Sequence, residues 1–240
     1  MSRASLLVFI HGAQMDRRSM LALTPMLPNQ HAVICPDLAG HGQRRHEHEH
    51  LAKLNPRELA ADLLRQLPIQ SLAATLPVHL VGHSLGALVA LELQQFLHEG
   101  GSGAASLVLG DPPLFINLDT PSQHAAAAGM ASDEVGQRLA RDTFFEFTAN
   151  NPAAGLHSPY LQRLQQVSQQ LPTHVLHGLQ PQHQRQDGSV DCGTFLSERS
   201  LSLLTSLKLN AHVHPISDAG HFVFHTVVGY TKLSSCLWLQ

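Results

Sequence analysis

The 240-residue chain carries little formal charge. Charged residues make up 14% of it, and 15 Lys and Arg against 18 Asp and Glu give a formal net charge of −3. Binding to the phosphates of nucleic acid needs a basic surface, so this balance argues against a nucleic-acid partner. We expect the partner to be a small molecule, and the composition carries no signal for an oligomeric state.

Cysteines and long apolar runs are also scarce. Cys35, Cys192 and Cys236 lie far apart without CxxC spacing, which argues against a structural zinc site or a disulfide framework and favours a reducing compartment. The first apolar run, LLVFI, is too short for a signal-peptide core, and no stretch of about 20 apolar residues is present to span a membrane. We therefore predict a cytoplasmic protein with no membrane span.

Hydrophobic residues are plentiful, at 43%, and the length suits one globular domain over residues 1–240. Short β-type runs alternate with helical patterns along most of the chain. This order predicts the α/β class, with a mostly parallel central sheet and helices on both faces. About six strands are predicted, over residues 6–10, 31–37, 78–82, 106–111, 173–178 and 211–217.

Helices are predicted between these strands. One begins at Asn55, which can cap it, with Pro56 at its first position and Glu58 three residues after the cap. Residues 20–27 also look helical, and a further helix runs from Ser84 to about His98. Residues 112–170 are rich in Ala, Gln and Ser and contain no convincing strand. We predict that they form a helical cap inserted between the strand ending at Asp111 and the next one.

The segment GHSLG joins the third predicted strand to the helix that follows it. It matches G-x-S-x-G, the pattern of a nucleophile elbow, in which a strained turn presents the serine hydroxyl at the end of the sheet. Gly82 and Gly86 would be required because side chains there would collide with neighbouring elements. The start of the helix would supply the Leu85 N–H to an oxyanion. A simple helix cap is the alternative role for Ser84.

With this motif in its strand-to-helix context, the chain resembles the α/β-hydrolase superfamily, and specifically its small capped esterase and lipase-like members. The resemblance covers about residues 6–222 and is carried by FIHGA, CPDLAGHGQ, GHSLG, LVLGDPP, LHG with a later DGSV, and DAGHF. It implies the α/β-hydrolase fold and a serine–acid–histidine triad without a metal or an organic cofactor. It also implies that Ala13, directly after the first HG, supplies the second oxyanion N–H.

The resemblance assigns the catalytic base to His221, because DAGHF is the form in which the family presents its histidine. Three aspartates compete for the acid. Asp187 is favoured, because DGSV resembles the D-x-x-V segment that follows the penultimate strand in the family. Asp191 lies four residues further on, and Asp111 ends the strand after the nucleophile helix, which is the acid position in some relatives.

Several other residues are expected near the substrate. We predict that His11, Gly12, Gln14 and His83 line the pocket around Ser84, and that the cap residues Phe115 and Phe144 line an apolar acyl site, although these aromatics also suit the core of the cap. We predict no metal site, and we interpret the HEHEH run at residues 46–50 as a solvated polar loop at the pocket rim.

The C-terminal segment departs from the family pattern. HTVVGYTKLSSCLWLQ contains Lys232 as its only formal charge, where relatives end in an amphipathic helix. Either this apolar end packs against the sheet or the terminus is an altered version of the usual one.

The function predicted from the sequence is that of a serine carboxylesterase. It would cleave small to medium acyl esters through an acyl-enzyme held by Ser84, His221 and Asp187. Hydrolysis of lactones or thioesters is an alternative on the same residues. A cofactor-free carbon–carbon lyase or oxygenase on the same fold is another, and a non-catalytic ligand-binding protein is a third.

Overall fold

The structure is a computed structural model of the chain. It describes residues 4–27, 31–114, 130, 132–145, 159–180, 183–184, 190–191, 194, 196, 198–206 and 209–238. The strands and helices below are numbered in chain order within these residues.

A six-stranded parallel sheet forms the centre of the molecule, in the order β2-β1-β3-β4-β5-β8. The number of strands and their parallel pairing confirm the predicted fold class. The strands are β1 (Leu6–Ile10), β2 (Ala32–Ile34), β3 (Val78–His83), β4 (Ser106–Gly110), β5 (Thr173–Gly178) and β8 (Ala211–Ile216). A separate antiparallel pair consists of β6 (His183–Gln184) and β7 (Val190–Asp191).

The helices cover both faces of the sheet. They are α1 (Arg17–Leu21), α2 (Pro56–Gln66), α3 (Ile69–Ala73), α4 (Leu85–Glu99), α5 (Glu134–Leu139), α6 (Pro159–Ser168), α7 (Glu198–Ser206) and α8 (Val227–Trp238). Asn55 caps α2 as predicted, and its side chain accepts a hydrogen bond from the Glu58 N–H. The segment predicted as one helix over residues 20–27 is divided into the end of α1 and a 3₁₀ turn, Thr24–Met26.

Apolar side chains form one cluster on each side of the sheet. The larger cluster joins the sheet to α2, α4 and α6 through residues such as Leu59, Leu91 and Leu164. The smaller cluster joins the opposite face to α1 and α8 through Met20, Phe9 and Leu233. Because parallel strands are covered on both faces, β1, β3 and β4 are buried along their whole length.

The C-terminal segment forms α8, and its apolar side packs against the sheet. Leu233, Cys236 and Leu237 are buried in the smaller cluster, beside Leu176 of β5 and Ile216 of the edge strand β8. Of the two alternatives that the sequence left open for this segment, the structure therefore shows the first.

The described residues of the segment predicted as a cap include two helical parts. Helix α5 and the π-helical turn Ala140–Phe145 lie against the loop before α2, where the Asp142 carboxylate accepts the Leu54 N–H at 2.8 Å. Helix α6, in contrast, buries Leu161 and Leu164 in the core cluster of the sheet. Within the described residues, the end of the predicted cap segment therefore serves as a covering helix of the sheet. No helix among the described residues is long and apolar enough to cross a bilayer.

Candidate active site

Ser84 lies at the sharp turn between β3 and α4. Its backbone angles, φ 53° and ψ −120°, lie outside the regions that ordinary side chains prefer. The side chain makes no capping hydrogen bond to the helix, so Ser84 does not act as a conventional helix cap. The Ser84 N–H instead donates to the carbonyl of Gly110, the last residue of the neighbouring strand, at 2.8 Å. Backbone strain of this kind is typical of functional positions.

Glycines on both sides of Ser84 allow this turn. A Cβ on Gly82 would lie 2.3 Å from the carbonyl oxygen of Gly86. A Cβ on Gly86 would lie 2.2 Å from the carbonyl oxygen of Ile10 and 2.5 Å from that of His11. All of these obstacles are backbone atoms, which cannot turn aside as the end of a side chain can. The geometry accordingly requires glycine at both positions, as the motif predicts.

The loop after β1 approaches Ser84 closely. A Cβ placed on Gly12 would lie 3.1 Å from the Cβ of Ser84, so the backbone of this loop runs beside the serine. Ala13 directly follows Gly12 in the chain, and Leu85 directly follows Ser84. Among the hydrogen bonds between described residues, none uses the N–H of Ala13 or Leu85. Two N–H groups thus flank the serine, an arrangement that suits the stabilisation of an oxyanion.

His221 and Asp111 form a buried pair beside the elbow. The His221 Nδ1 and the Asp111 Oδ2 are 2.6 Å apart. Asp111 is fully buried and His221 nearly so. An imidazole whose Nδ1–H donates to a carboxylate keeps its Nε2 as the basic nitrogen, which is the tautomer that a general base needs. Asp111 directly follows Gly110, the residue that accepts the Ser84 N–H, and so lies at the same end of the sheet as the serine.

Further contacts hold the Asp111 carboxylate in place. Thr194 Oγ1 donates to its second oxygen, Oδ1, at 2.8 Å, and the Asp111 N–H donates to the Leu176 carbonyl at 2.7 Å. Asp111 also has a positive φ of 40°, which is uncommon for a residue with a side chain. Thr194 lies 83 residues from Asp111, and no local pattern of the sequence could have identified it.

The other two candidate acids are not described at side-chain level. Asp187, the aspartate that the sequence favoured, lies outside the described residues. The backbone of Asp191 belongs to the short strand β7, paired with His183 of β6. Among the described side chains, Asp111 is therefore the carboxylate in contact with His221.

Two buried histidines hydrogen-bond to the loops beside Ser84. His83 is fully buried, and its Nε2 donates to the carbonyl of His221 at 2.8 Å, which fixes the backbone of the base. Burial, together with neighbouring His221, lowers the pKa of His83 well below its ordinary value. His11 accepts the Leu38 N–H on its Nε2, and its Nδ1 lies 2.8 Å from the Gly12 carbonyl. Both ring nitrogens of His11 are thus hydrogen-bonded to the backbone, which holds the loop after β1 against the loop after β2.

Two cavities lie beside the loop after β1 and the loop that carries His221. The larger, of about 740 Å³, is lined by Gln14 and Met15 from the oxyanion loop and by Val135 and Leu139 from α5. The smaller, of about 270 Å³, lies between Met15 and the loop that carries His221. Met15 borders both cavities. Among the described lining residues of the two cavities, neither Ser84 nor His221 is present.

Of the other residues predicted to line the pocket, Gln14 and Gly12 are described and the side chains of Phe115 and Phe144 are not. Gln14 lines the larger cavity, with a positive φ of 59°, whereas Gly12 packs against Ser84. Phe115 lies outside the described residues, and the side chain of Phe144 is not described, so their contact with a substrate stays a prediction.

Asp37 holds the loop after β2 in place. The Asp37 carboxylate accepts the N–H groups of Arg17 at 2.7 Å and Gln43 at 2.9 Å, which ties the loop to α1. In the following HEHEH run, His46 and His48 line the larger cavity, which places this run at the pocket rim. His48 is nevertheless buried, and its carbonyl accepts a hydrogen bond from Arg138 of α5 at 3.0 Å.

Comparison with known proteins agrees with this geometry. The sequence profile described as "Alpha/beta hydrolase family" matches residues 7–227, nearly the whole chain. The chain belongs to the alpha/beta hydrolase family. No match was found among curated protein sequences. As a family member, the protein has the fold of an alpha/beta hydrolase, and its GHSLG segment at Ser84 matches the nucleophile-elbow pattern.

Solved structures of this fold resemble the chain along almost its full length. A thermophilic esterase from Thermogutta terrifontis has a TM-score of 0.58 and 18% identity, with 98% of this chain and 89% of the esterase covered. The thioesterase domain of the curacin biosynthetic pathway has a TM-score of 0.60 and 20% identity over 97% and 90%. The N-acyl homoserine lactonase AidH, complexed with N-hexanoyl homoserine, has a TM-score of 0.62 and 16% identity over 99% and 89%. At such identities the likeness concerns the fold.

Proposed function

We propose that the protein is a serine hydrolase of carboxylic esters, with Ser84 as nucleophile, His221 as general base and Asp111 as the acid that orients it. The observation that carries the proposal is the buried contact of 2.6 Å between His221 Nδ1 and Asp111 Oδ2, at the sheet end that carries the strained serine. A hydroxyl is a weak nucleophile at neutral pH and needs such a base.

The proposed reaction has two steps. His221 Nε2 takes the proton of the Ser84 hydroxyl as its oxygen attacks the ester carbonyl, and the N–H groups of Ala13 and Leu85 stabilise the oxyanion. His221 then gives the proton to the departing alcohol, which leaves an acyl group on Ser84. Water, activated by the same histidine, attacks this acyl-enzyme, and the carboxylate is released as the serine regains its proton. Asp111 stabilises the imidazolium throughout.

The cavities favour substrates of small to medium size. The larger cavity, of about 740 Å³, lies within the range of ordinary small-molecule pockets and adjoins the loop beside Ser84. Most of its lining is polar or charged, and Met15, Val135 and Leu139 provide its apolar part, where a short acyl chain would pack. The esterase, thioesterase and lactonase of similar fold act on carbonyl groups bearing different leaving groups. We therefore propose an oxygen ester as substrate, with thioesters and lactones as the alternatives closest in chemistry.

Covalent labelling tests the role of Ser84. A fluorophosphonate probe is expected to add to Ser84 Oγ, as identified by mass spectrometry of the labelled peptide. Ser84→Ala should lose both the adduct and the hydrolysis of p-nitrophenyl butyrate. Ser19→Ala is a matched control, because Ser19 lines the larger cavity but lies on α1 away from the elbow. Normal hydrolysis by Ser84→Ala would refute the proposal.

The same experiment separates the alternative functions. A cofactor-free lyase or oxygenase would use His221 on its substrate and need no acyl-enzyme, and a binding protein would turn over no ester. In both cases the native protein would show no turnover of p-nitrophenyl esters. The described pair of His221 and Asp111, beside an elbow serine, favours the hydrolase.

A further inference from the structure

A cluster of histidine and cysteine side chains lies away from the active site. His174 is the second residue of β5, and His212 and His214 alternate along β8, so all three side chains project from one face of the sheet. That face is covered by α8, which contributes Cys236. The cluster lies near the beginnings of these parallel strands, whereas Ser84, Asp111 and His221 follow the ends of their strands.

Three of these side chains converge on one point. One ligand-type atom from each of His174, His214 and Cys236 lies within 4.8 Å of the other two. His174 Nδ1 and His214 Nε2 are 3.0 Å apart, and the rings of both stack beside that of His212. Two nitrogens bound to one tetrahedral Zn²⁺ are separated by about 3.3 Å, given bonds of about 2.0–2.1 Å. The imidazoles are therefore already placed for a shared ion.

We propose that His174, His214 and Cys236 form a binding site for a divalent transition-metal ion of the Zn²⁺ or Co²⁺ type. Two imidazoles and one thiolate are ligands that these borderline-soft ions prefer, and they leave a fourth tetrahedral position for water. The sequence predicts no metal site, because its three cysteines lie far apart and without CxxC spacing. The fold brings residues separated by 62 positions (174 to 236) together.

The electrostatic environment suits neutral ligands. Burial, with the charges of neighbouring His212 and Lys232, lowers the pKa of His174 to about 4, and burial and Lys232 lower that of His214 to about 4. Burial raises the pKa of the Cys236 thiol, while Lys232 opposes this rise. Binding of the ion would thus release the thiol proton to solvent as the metal–sulfur bond forms.

The proposed ion would have a structural effect. It would link α8 to the neighbouring strands β5 and β8, of which β8 is the edge of the sheet. A ligand that binds only the folded state stabilises it in proportion to the logarithm of its concentration above the dissociation constant. Zinc should therefore raise the melting temperature of the full-length protein, and EDTA should reverse the rise.

Cobalt binding tests the site, because a thiolate ligand gives Co²⁺ a sulfur-to-metal charge-transfer band. We expect the metal-free, reduced, full-length protein to bind one Co²⁺ with this band and with the intense visible bands of tetrahedral coordination. Cys236→Ser should abolish the charge-transfer band. Cys35→Ser is a matched control that should retain it. His174→Gln should weaken Co²⁺ and Zn²⁺ binding at least tenfold, since even residues behind the ligands typically contribute about 10–100-fold.

The outcomes are distinct. Cobalt bound without a charge-transfer band, or with a band that persists in Cys236→Ser, would place the ion elsewhere, such as at residues 46–50, and would overturn the proposal. No binding by the native protein would also overturn it. If Cys236→Ser fails to fold, as judged by circular dichroism, unchanged metal affinity in folded His174→Gln serves as the refuting result.

Discussion

The packing of α8 leads to a quantitative prediction about stability. Leu233 is 0% exposed and belongs to the apolar cluster between this helix and the sheet, with Leu176, Ile216 and Phe224. Replacing a buried leucine by alanine removes its transfer free energy and leaves a cavity, at a cost of about 2–5 kcal/mol. For Leu233→Ala we expect the free energy of unfolding to fall by about 3 kcal/mol. The melting temperature of a chain of this size should then drop by about 6–12 °C.

Urea unfolding followed by circular dichroism measures this change, with calorimetry for the melting temperature. Val227→Ala is the matched control, because Val227 begins the same helix but is 81% exposed. It should change stability by no more than about 0.5 kcal/mol. EDTA is present in all measurements, so that no bound metal ion contributes to the measured free energy of unfolding. A Leu233→Ala variant as stable as Val227→Ala would show that α8 does not pack on the sheet as described.

Two further predictions concern the elbow and the oxyanion loop. Gly86→Ala would bring a Cβ within 2.2 Å of the Ile10 carbonyl oxygen and displace the backbone that precedes Ala13, so ester hydrolysis should fall by at least about 100-fold, the effect of losing one oxyanion donor. Gly103→Ala, whose Cβ meets only the Gln94 side chain at 3.6 Å, should leave the rate unchanged, and equal rates in both variants would contradict the steric account. Burial lowers the pKa of His11 to about 4, so the folded state keeps it neutral while the unfolded chain protonates it near pH 6.5. The free energy of unfolding should therefore decrease as the pH falls from 6.5 to 4, by up to about 1.4 kcal/mol per pH unit from this residue. Urea unfolding at several pH values should show that the free energy of unfolding of His11→Gln decreases less steeply with falling pH than that of the native protein. The same pH dependence in both proteins would refute the low pKa of His11.

The sheet could be predicted from the sequence because its signals are local. Residues 6–10 and 173–178 are continuous apolar and β-type runs bounded by glycine or loop residues, and β1 and β5 have those bounds. Asn55 and Pro56 mark the start of α2 for an equally local reason, since capping depends on residues three positions apart. The glycines around Ser84 could likewise be assigned from the motif alone.

The contact of Asp111 with His221 and the convergence of His174, His214 and Cys236 could not be predicted in this way, because they join residues that are distant in the sequence. Asp111 and His221 are 110 residues apart, and a pattern match favoured Asp187 instead. Only the register of β4 and the path of the following loop decide which carboxylate meets the imidazole. The alternation of His212 and His214 along β8 was visible, but their proximity to Cys236 follows from the packing of α8.

The identity of the acid is the central claim, and its direct test is the rate of p-nitrophenyl butyrate hydrolysis by Asp111→Asn, Asp187→Asn and Asp191→Asn. The account predicts that kcat/KM falls by about 10⁴-fold in Asp111→Asn, because the His221 tautomer is lost, and stays within about twofold of the native value in the other two. A loss of that size in Asp187→Asn, with Asp111→Asn near native activity, would contradict the account.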